Sequence, residues 1–153
     1  MVRMKLFIFD WGRTLYDVDA GALFPETKTV LEELKTRGYM LAIVSLASAG
    51  PSAIVERKRV IEDEQLSQYF TSIKFDVEDK DRMYADTLRE LEIPAVETVI
   101  VDDRMVRGIQ WGNANSCTTV WLQKGKFADE LPDNQTGTPT HTITSIGELL
   151  SAV

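Results

Sequence analysis

The sequence predicts one doubly wound α/β domain, a mostly parallel sheet with helices on both faces. Two observations carry that expectation. Short apolar runs alternate with helix-length amphipathic segments along all 153 residues, the pattern of βαβ units. Several of those runs end abruptly in a polar or acidic residue, as strands do when they deliver side chains to the carboxyl edge of a sheet. A hydrophobic content of 44% suits a single full core at this length.

Met4–Phe9 reads as a buried strand that delivers Asp10 to a turn. From Pro25 to Thr36, Val30, Leu31 and Leu34 fall at helical spacing, and Arg37-Gly38 supplies a stop. Met40–Val44 is a second buried strand, ending at Ser45. The Gly50-Pro51 break opens a helix to about Asp63, with a short extension to Phe70. Ile73–Phe75 is a short strand, Lys80–Leu91 a helix and Thr98–Val101 a strand that leads into Asp102-Asp103. Arg104–Ala114 reads as helix, Thr118–Leu122 as strand and Gln123–Thr140 as loop, before a short strand at Thr142–Ile143 and a small helix from Ser145. No repeat, low-complexity stretch or linker interrupts residues 1–153, so a single domain is expected.

Composition excludes several function classes. A net charge of −7 argues against general binding of nucleic acid or anionic membranes, which needs clustered Lys and Arg. Cys117 is the one cysteine, so neither a disulfide framework nor a thiolate metal site can form within one chain; its apolar flanks predict a small core residue. His141 is the one histidine, alone in a Thr-rich stretch, and is read as structural. No apolar run approaches the ~18 residues of a membrane span. The segment Met1–Lys5 leads into a strand rather than a signal peptide, which makes the cytoplasm the expected location.

In a parallel sheet the carboxyl ends of the strands share one edge, so Asp10, Ser45 and Asp102-Asp103 are expected to converge. Carboxylates brought that close repel unless a cation neutralises them, and an all-oxygen ligand set suits Mg²⁺. Read by itself, Lys80 in Asp79-Lys80-Asp81-Arg82 is a solvated charge at a helix start.

This ordered set resembles the haloacid dehalogenase (HAD) superfamily, whose members are mostly Mg²⁺-dependent phosphatases on a Rossmann-like fold. The family's first motif, Asp-x-Asp-Gly-Thr after a strand, corresponds to Asp10-Trp11-Gly12-Arg13-Thr14. Ser45 fits the second motif, Lys80 with Tyr84 the third (Lys74 competes but falls inside a strand and further from the Tyr), and Asp102-Asp103 the fourth. The resemblance implies an aspartyl-phosphate on Asp10 and Mg²⁺ held by Asp10, the Gly12 carbonyl and Asp103, with Asp102 ordering a metal-bound water. It also implies a Ser45 hydrogen bond to the phosphoryl oxygens and charge neutralisation by Lys80. Ser45 read by itself fits a turn or helix cap equally well.

The pattern breaks at one place. The family's second Asp protonates the leaving oxygen and later activates water, and Gly12 can do neither. General acid–base catalysis is worth ~10²–10⁴-fold, so a slow phosphatase is expected, or one whose leaving group needs no proton, such as an acyl phosphate. Phosphonatases carry a similar Asp-Trp-Ala-Gly-Thr, but they take a lysine from a cap domain. The two 34-residue intervals, Asp10 to Ser45 and Ser45 to Lys80, are each filled by a helix and its connections. A capless member is therefore expected. Its open site suits a phosphorylated small molecule or an exposed phosphate on a macromolecule, or is completed by a second copy of the chain.

Arg13 replaces the motif's Gly and either contacts a substrate phosphate or pairs with a surface acid. Trp11 is a candidate for stacking on substrate at the pocket mouth, whereas Trp111 and Trp121 read as core. Arg104, Arg107, Lys124 and Lys126 form either a positive rim or a solvated basic face. Three functions follow in order: a Mg²⁺-dependent phosphohydrolase, a non-catalytic Mg²⁺- and phosphate-binding regulatory domain, and a phosphotransferase with a long-lived phospho-Asp10.

Overall fold

The computed structural model describes residues 2–153; Met1, the first residue of the leading segment read above, lies outside them. Six parallel strands form one sheet: β1 (Leu6–Phe9), β4 (Met40–Leu46), β5 (Ser72–Asp76), β6 (Thr98–Asp102), β7 (Thr118–Leu122) and β8 (His141–Ile143). Their order is β5-β4-β1-β6-β7-β8. The chain runs outward from β1 through β4 to β5, then crosses back to β6 and runs the other way. This reversal beside β1 is where open α/β sheets bind ligands.

Alternation along each strand divides the core into two. Phe7, Phe9, Leu41, Ile43, Val99 and Val101 face α1 (Thr27–Thr36) and α5 (Leu149–Ala152), joined by Ile61 of α2 (Pro51–Asp63). Leu6, Ile8, Ala42, Val44 and Ile100 face the other way, against Met83 and Tyr84 of α3 (Lys80–Leu91). β1 and β6 are buried throughout and β4 is buried except at its two ends, which is why they read as continuous apolar runs rather than alternating ones. Cys117 joins the second cluster and is 8% exposed; burial pushes its thiol up to about 12.

Four local features differ from the sequence reading. A small antiparallel hairpin, β2 (Tyr16–Asp17) with β3 (Ala22–Leu23), fills the stretch after Asp10. Ser45 and Asp102 lie within their strands rather than after them. The expected helix over 104–114 is a π turn, Met105–Ile109, followed by the short α4 (Gln110–Ala114). The extension of α2 is a separate 3₁₀ turn at Ser67–Tyr69.

Candidate active site

Strand register brings the site together. Phe9 is level with Ile43 on β4 and with Val101 on β6, so Asp10, one residue on, arrives beside Val44 and Asp102. The Asp10 backbone N–H donates to the Val101 carbonyl at 3.0 Å, which continues the ladder one step past the strand. Ser45, Lys80, Asp102 and Asp103 meet Asp10 as the sequence predicts.

Lys80 ties the floor of this site together. Its Nζ lies 3.1 Å from Asp10 Oδ1 and 2.7 Å from Asp102 Oδ2. Ser45 Oγ donates to the same Asp10 Oδ1 at 2.8 Å, so the hydroxyl that the resemblance sends to a phosphoryl oxygen here orients the carboxylate. Burial opposes ionisation of Asp10, but the Lys80 charge and the bonds from Ser45 and Lys80 prevail and hold its pKa below the usual carboxylate range. For Lys80, burial opposes the charge and the two aspartates outweigh it, raising its pKa well above the ordinary lysine value.

The acidic pair divides its work. Asp102 is fully buried, and its Oδ2 also accepts from Gly108 N at 2.9 Å while Oδ1 accepts from Arg104 N at 3.1 Å. A Cβ at position 108 would stand 2.4 Å from Asp102 Oδ2 and 2.5 Å from the Tyr84 hydroxyl, so only glycine admits this approach. Asp103 is 2% exposed, yet neither of its carboxylate oxygens has a hydrogen-bond partner. Burial, joined by the charges of Asp10 and Asp102, pushes Asp103 up to about 9.

A metal fits this donor set. Asp10, Asp102 and Asp103 each place one oxygen within 4.8 Å of the others. Asp102 is occupied by Lys80 and backbone N–H groups, whereas the orphaned Asp103 carboxylate is the kind of buried group that a cation satisfies.

Above the floor opens a cleft of about 370 Å³, lined by Asp10, Gly12, Ser45, Lys80 and Asp103 and walled by Arg13, Arg57, Arg104, Arg107 and Lys126. Of the expected rim, Lys124 alone is elsewhere, with its Nζ 4.5 Å from the Phe24 ring centroid. Arg13 both lines the cleft and pairs with exposed Asp19 at 3.2 Å. It keeps the left-handed backbone, φ 65°, that suits the Gly it replaces, a conformation costing an L-residue ~1–2 kcal/mol. Arg104 is held by Glu130. Lys74, the rival to Lys80, pairs with Glu90 at 2.8 Å.

Trp11, expected at the cleft mouth, is 2% exposed and stacks on Tyr16, with ring centroids 5.5 Å apart. It does not line the cleft but backs a smaller pocket beside it. Trp121 is in the core, as expected, and its Nε1 donates to the Asp103 carbonyl at 3.0 Å. Trp111 is half-buried and stacks on Tyr84.

Arg57 on α2 is the residue that sequence reasoning missed. Its Nη1 donates to Ser45 Oγ at 3.1 Å and to the Leu46 carbonyl at 3.0 Å. It sits within Glu56-Arg57-Lys58-Arg59, which reads as a solvated charge run. The available signal is its place between Ala53 and Val60 at i+4 and i+7 spacing, an inward stripe of the helix.

The sequence pattern of the haloacid dehalogenase-like hydrolases matches residues 4–122, and the chain belongs to that family. Three solved structures illustrate the shared fold. An L-2-haloacid dehalogenase superposes with a TM-score of 0.78 at 14% identity, over 98% of each chain. The putative hydrolase YfnB from Bacillus subtilis, bound to magnesium, gives 0.77 at 14% identity over 97% of this chain and 98% of its own. A predicted phosphoglycolate phosphatase from Haemophilus somnus gives 0.75 at 14% identity over 99% and 98%. A search of curated proteins returns no match. Among the described residues, no helix is long and apolar enough to cross a membrane.

Proposed function

We propose that the chain is a Mg²⁺-dependent phosphohydrolase acting through an aspartyl-phosphate on Asp10, in an open site without a cap domain. One observation carries this reading: Lys80 bridges Asp10 and Asp102 beneath a cleft into which Asp103 brings two unpartnered carboxylate oxygens. The capless reading is supported by the two-residue strands of β2 and β3, which occupy the space between β1 and α1.

Asp10, kept ionised by Lys80, is suited to attack phosphorus. A new oxygen–phosphorus bond forms as the bond to the leaving oxygen breaks, and its electron pair departs with that oxygen. Water then adds to phosphorus, the bond to Asp10 breaks, and the carboxylate is regained while the water's proton leaves with the released phosphate. Asp10, Asp103 and the Gly12 carbonyl would hold Mg²⁺, with Asp102 behind them; bound there, the ion would supply positive charge to the transferring phosphoryl group. Lys80 neutralises charge on the floor, and Arg57 and Arg107 offer further positive charge on the wall.

The acids lining the cleft are Asp10 and Asp103. Asp17 accepts the N–H groups of Asp19 and Ala20, Asp19 pairs with Arg13, and Glu78 is exposed. None of them replaces the missing proton donor, so leaving groups of low basicity are favoured. Partners are a phosphorylated small molecule or an exposed phosphate on a macromolecule.

Phosphate release from a panel of phosphoesters and acyl phosphates, with and without Mg²⁺, tests the reading. Wild type should release phosphate only with Mg²⁺, and Asp10→Asn should not; equal rates for the two proteins across the panel would sink it. The same empty position at Gly12 favours a second reading, a regulatory domain that binds Mg²⁺ and phosphate without turnover, or one whose phospho-Asp10 persists. Tight Mg²⁺-dependent binding of beryllofluoride with no phosphate release marks the regulatory case.

A further inference from the structure

Gly12 does more than omit an acid. Gly12, Val18 and Arg57 line both the cleft and a smaller pocket of about 190 Å³, whose other walls are Trp11, Tyr16, Ala53, Glu56 and Val60. All but Glu56 among those other walls are apolar or aromatic, and Glu56 is drawn off by Arg59. About 150 Å³ of apolar cavity is enough to hold benzene. A Cβ on residue 12 would lie 3.6 Å from Val18 Cγ2 and 3.9 Å from Arg57 Nη2. Any larger side chain would extend into the space the two pockets share, so glycine is what keeps them joined.

Arg57 stands at that junction with donors to spare. Nη1 is committed to Ser45 Oγ and the Leu46 carbonyl, but Nη2 and Nε make no hydrogen bond among the described residues, and no carboxylate pairs with the guanidinium there. The side chain is steadied by the Phe75 ring, 5.9 Å from its centroid. A fixed guanidinium with a free edge receives a developing oxyanion without transferring a proton.

From this geometry we infer that the apolar pocket receives the leaving group of the substrate, that Arg57 receives its leaving oxygen, and that the substrate is an aryl phosphate. The inference rests on Asp10 as the phosphoryl acceptor. As the Asp10–phosphorus bond forms, the phosphorus–oxygen bond to the aryl group breaks. The electron pair stays on the aryloxide, which Arg57 holds as an ion until solvent protonates it. A phenol is a better leaving group than an alkyl alcohol, so this class suits a site without a general acid.

Calorimetry with phenylphosphonate and methylphosphonate in the presence of Mg²⁺ tests the pocket without requiring turnover. Wild type should bind the phenyl compound about tenfold or more tightly than the methyl one, the gain expected from burying one ring. Ala53→Phe and, separately, Val60→Trp fill the pocket from α2 and should remove most of that preference. Equal affinity of wild type for the two phosphonates, or a preference that survives both fillings, overturns the pocket. Failure of both phosphonates to bind overturns the phosphate site itself, and this inference with it. Arg57→Ala should lower kcat/KM about 10²-fold on phenyl phosphate and less on 4-nitrophenyl phosphate, whose leaving oxygen needs less help. Equal losses on the two esters, or no wild-type turnover of either, overturn the role of Arg57. Asp10-dependent turnover of acetyl phosphate beside a failed phenyl preference would leave the phosphohydrolase standing and remove only the aryl pocket.

Discussion

On the floor of the cleft, Asp10, Lys80 and Asp102 are buried and joined by contacts of 2.7 and 3.1 Å. On the wall, Arg57 and Arg107 are half-buried and Lys126 is exposed, and among the described residues no carboxylate pairs with them. The floor sets one buried cation against two carboxylates, with Asp103 as a third acid, whereas the wall presents free positive charge to whatever enters. A fixed, buried floor suits a reaction repeated on many substrates, whereas an open wall is where selection among them takes place.

The sharpest way to break this contrast is at the floor. Asp10→Asn should lower Mg²⁺-dependent phosphate release by at least ~10⁴-fold, measured on acetyl phosphate, because a lost nucleophile is not replaced by its neighbours. Lys80→Ala leaves Asp10 and Asp102 without the buried cation they share and should lower stability by ~3–5 kcal/mol in denaturant unfolding at neutral pH. Gly108→Ala forces Asp102 or Tyr84 to move and should lower stability by ~1–3 kcal/mol, read in the same assay.

Proton linkage gives a smaller and graded signal. Asp103 titrates from 3.8 up to about 9 on folding, so between those values the folded chain binds more protons than the unfolded one. Without metal, stability should therefore fall as pH rises across that window. Mg²⁺ requires the ionised carboxylate, so its stabilising effect should grow over the same range, as thermal unfolding at a series of pH values will show. A metal-free Tm that rises steadily from pH 5 to 8 would argue against a protonated Asp103.

The smallest effect is expected on the wall. Gly12→Asp restores the family's acid in sequence but sets its side chain close to Arg57 Nη2, 3.9 Å from where its Cβ would lie. The new carboxylate should pair there, stay ionised and give less than a ~10-fold gain on alkyl phosphates. A large gain would show that Arg57 does not control that space.

The sequence announced the floor more clearly than the wall, for physical reasons. Asp10, Ser45, Asp102 and Asp103 sit at the ends of buried strands, where a polar residue after an apolar run is conspicuous, and strand register alone brings them together. Lys80 was legible only through the family motif it shares with Tyr84, because by itself it reads as a solvated charge at a helix start. The β2–β3 hairpin left no trace because two-residue strands are too short to show alternation. The π turn after Asp103 resembles helix in composition, and the close approach of Gly108 to Asp102 is a tertiary contact that the local sequence does not show. Arg57 was hidden because its neighbours Glu56, Lys58 and Arg59 are exposed charges, and the stripe it shares with Ala53 and Val60 is too short to stand out from that run. Trp11 was misplaced in part: it follows Asp10 in sequence, but its ring turns onto Tyr16, away from the cleft.

Phosphoryl transfer to Asp10 is the claim on which the rest depends. Wild-type protein incubated with acetyl phosphate and Mg²⁺, quenched in acid, digested and analysed by mass spectrometry should carry phosphate on the peptide containing Asp10, and Asp10→Asn should not. Phosphate release from the donor with that peptide unmodified at every quench time would contradict the account.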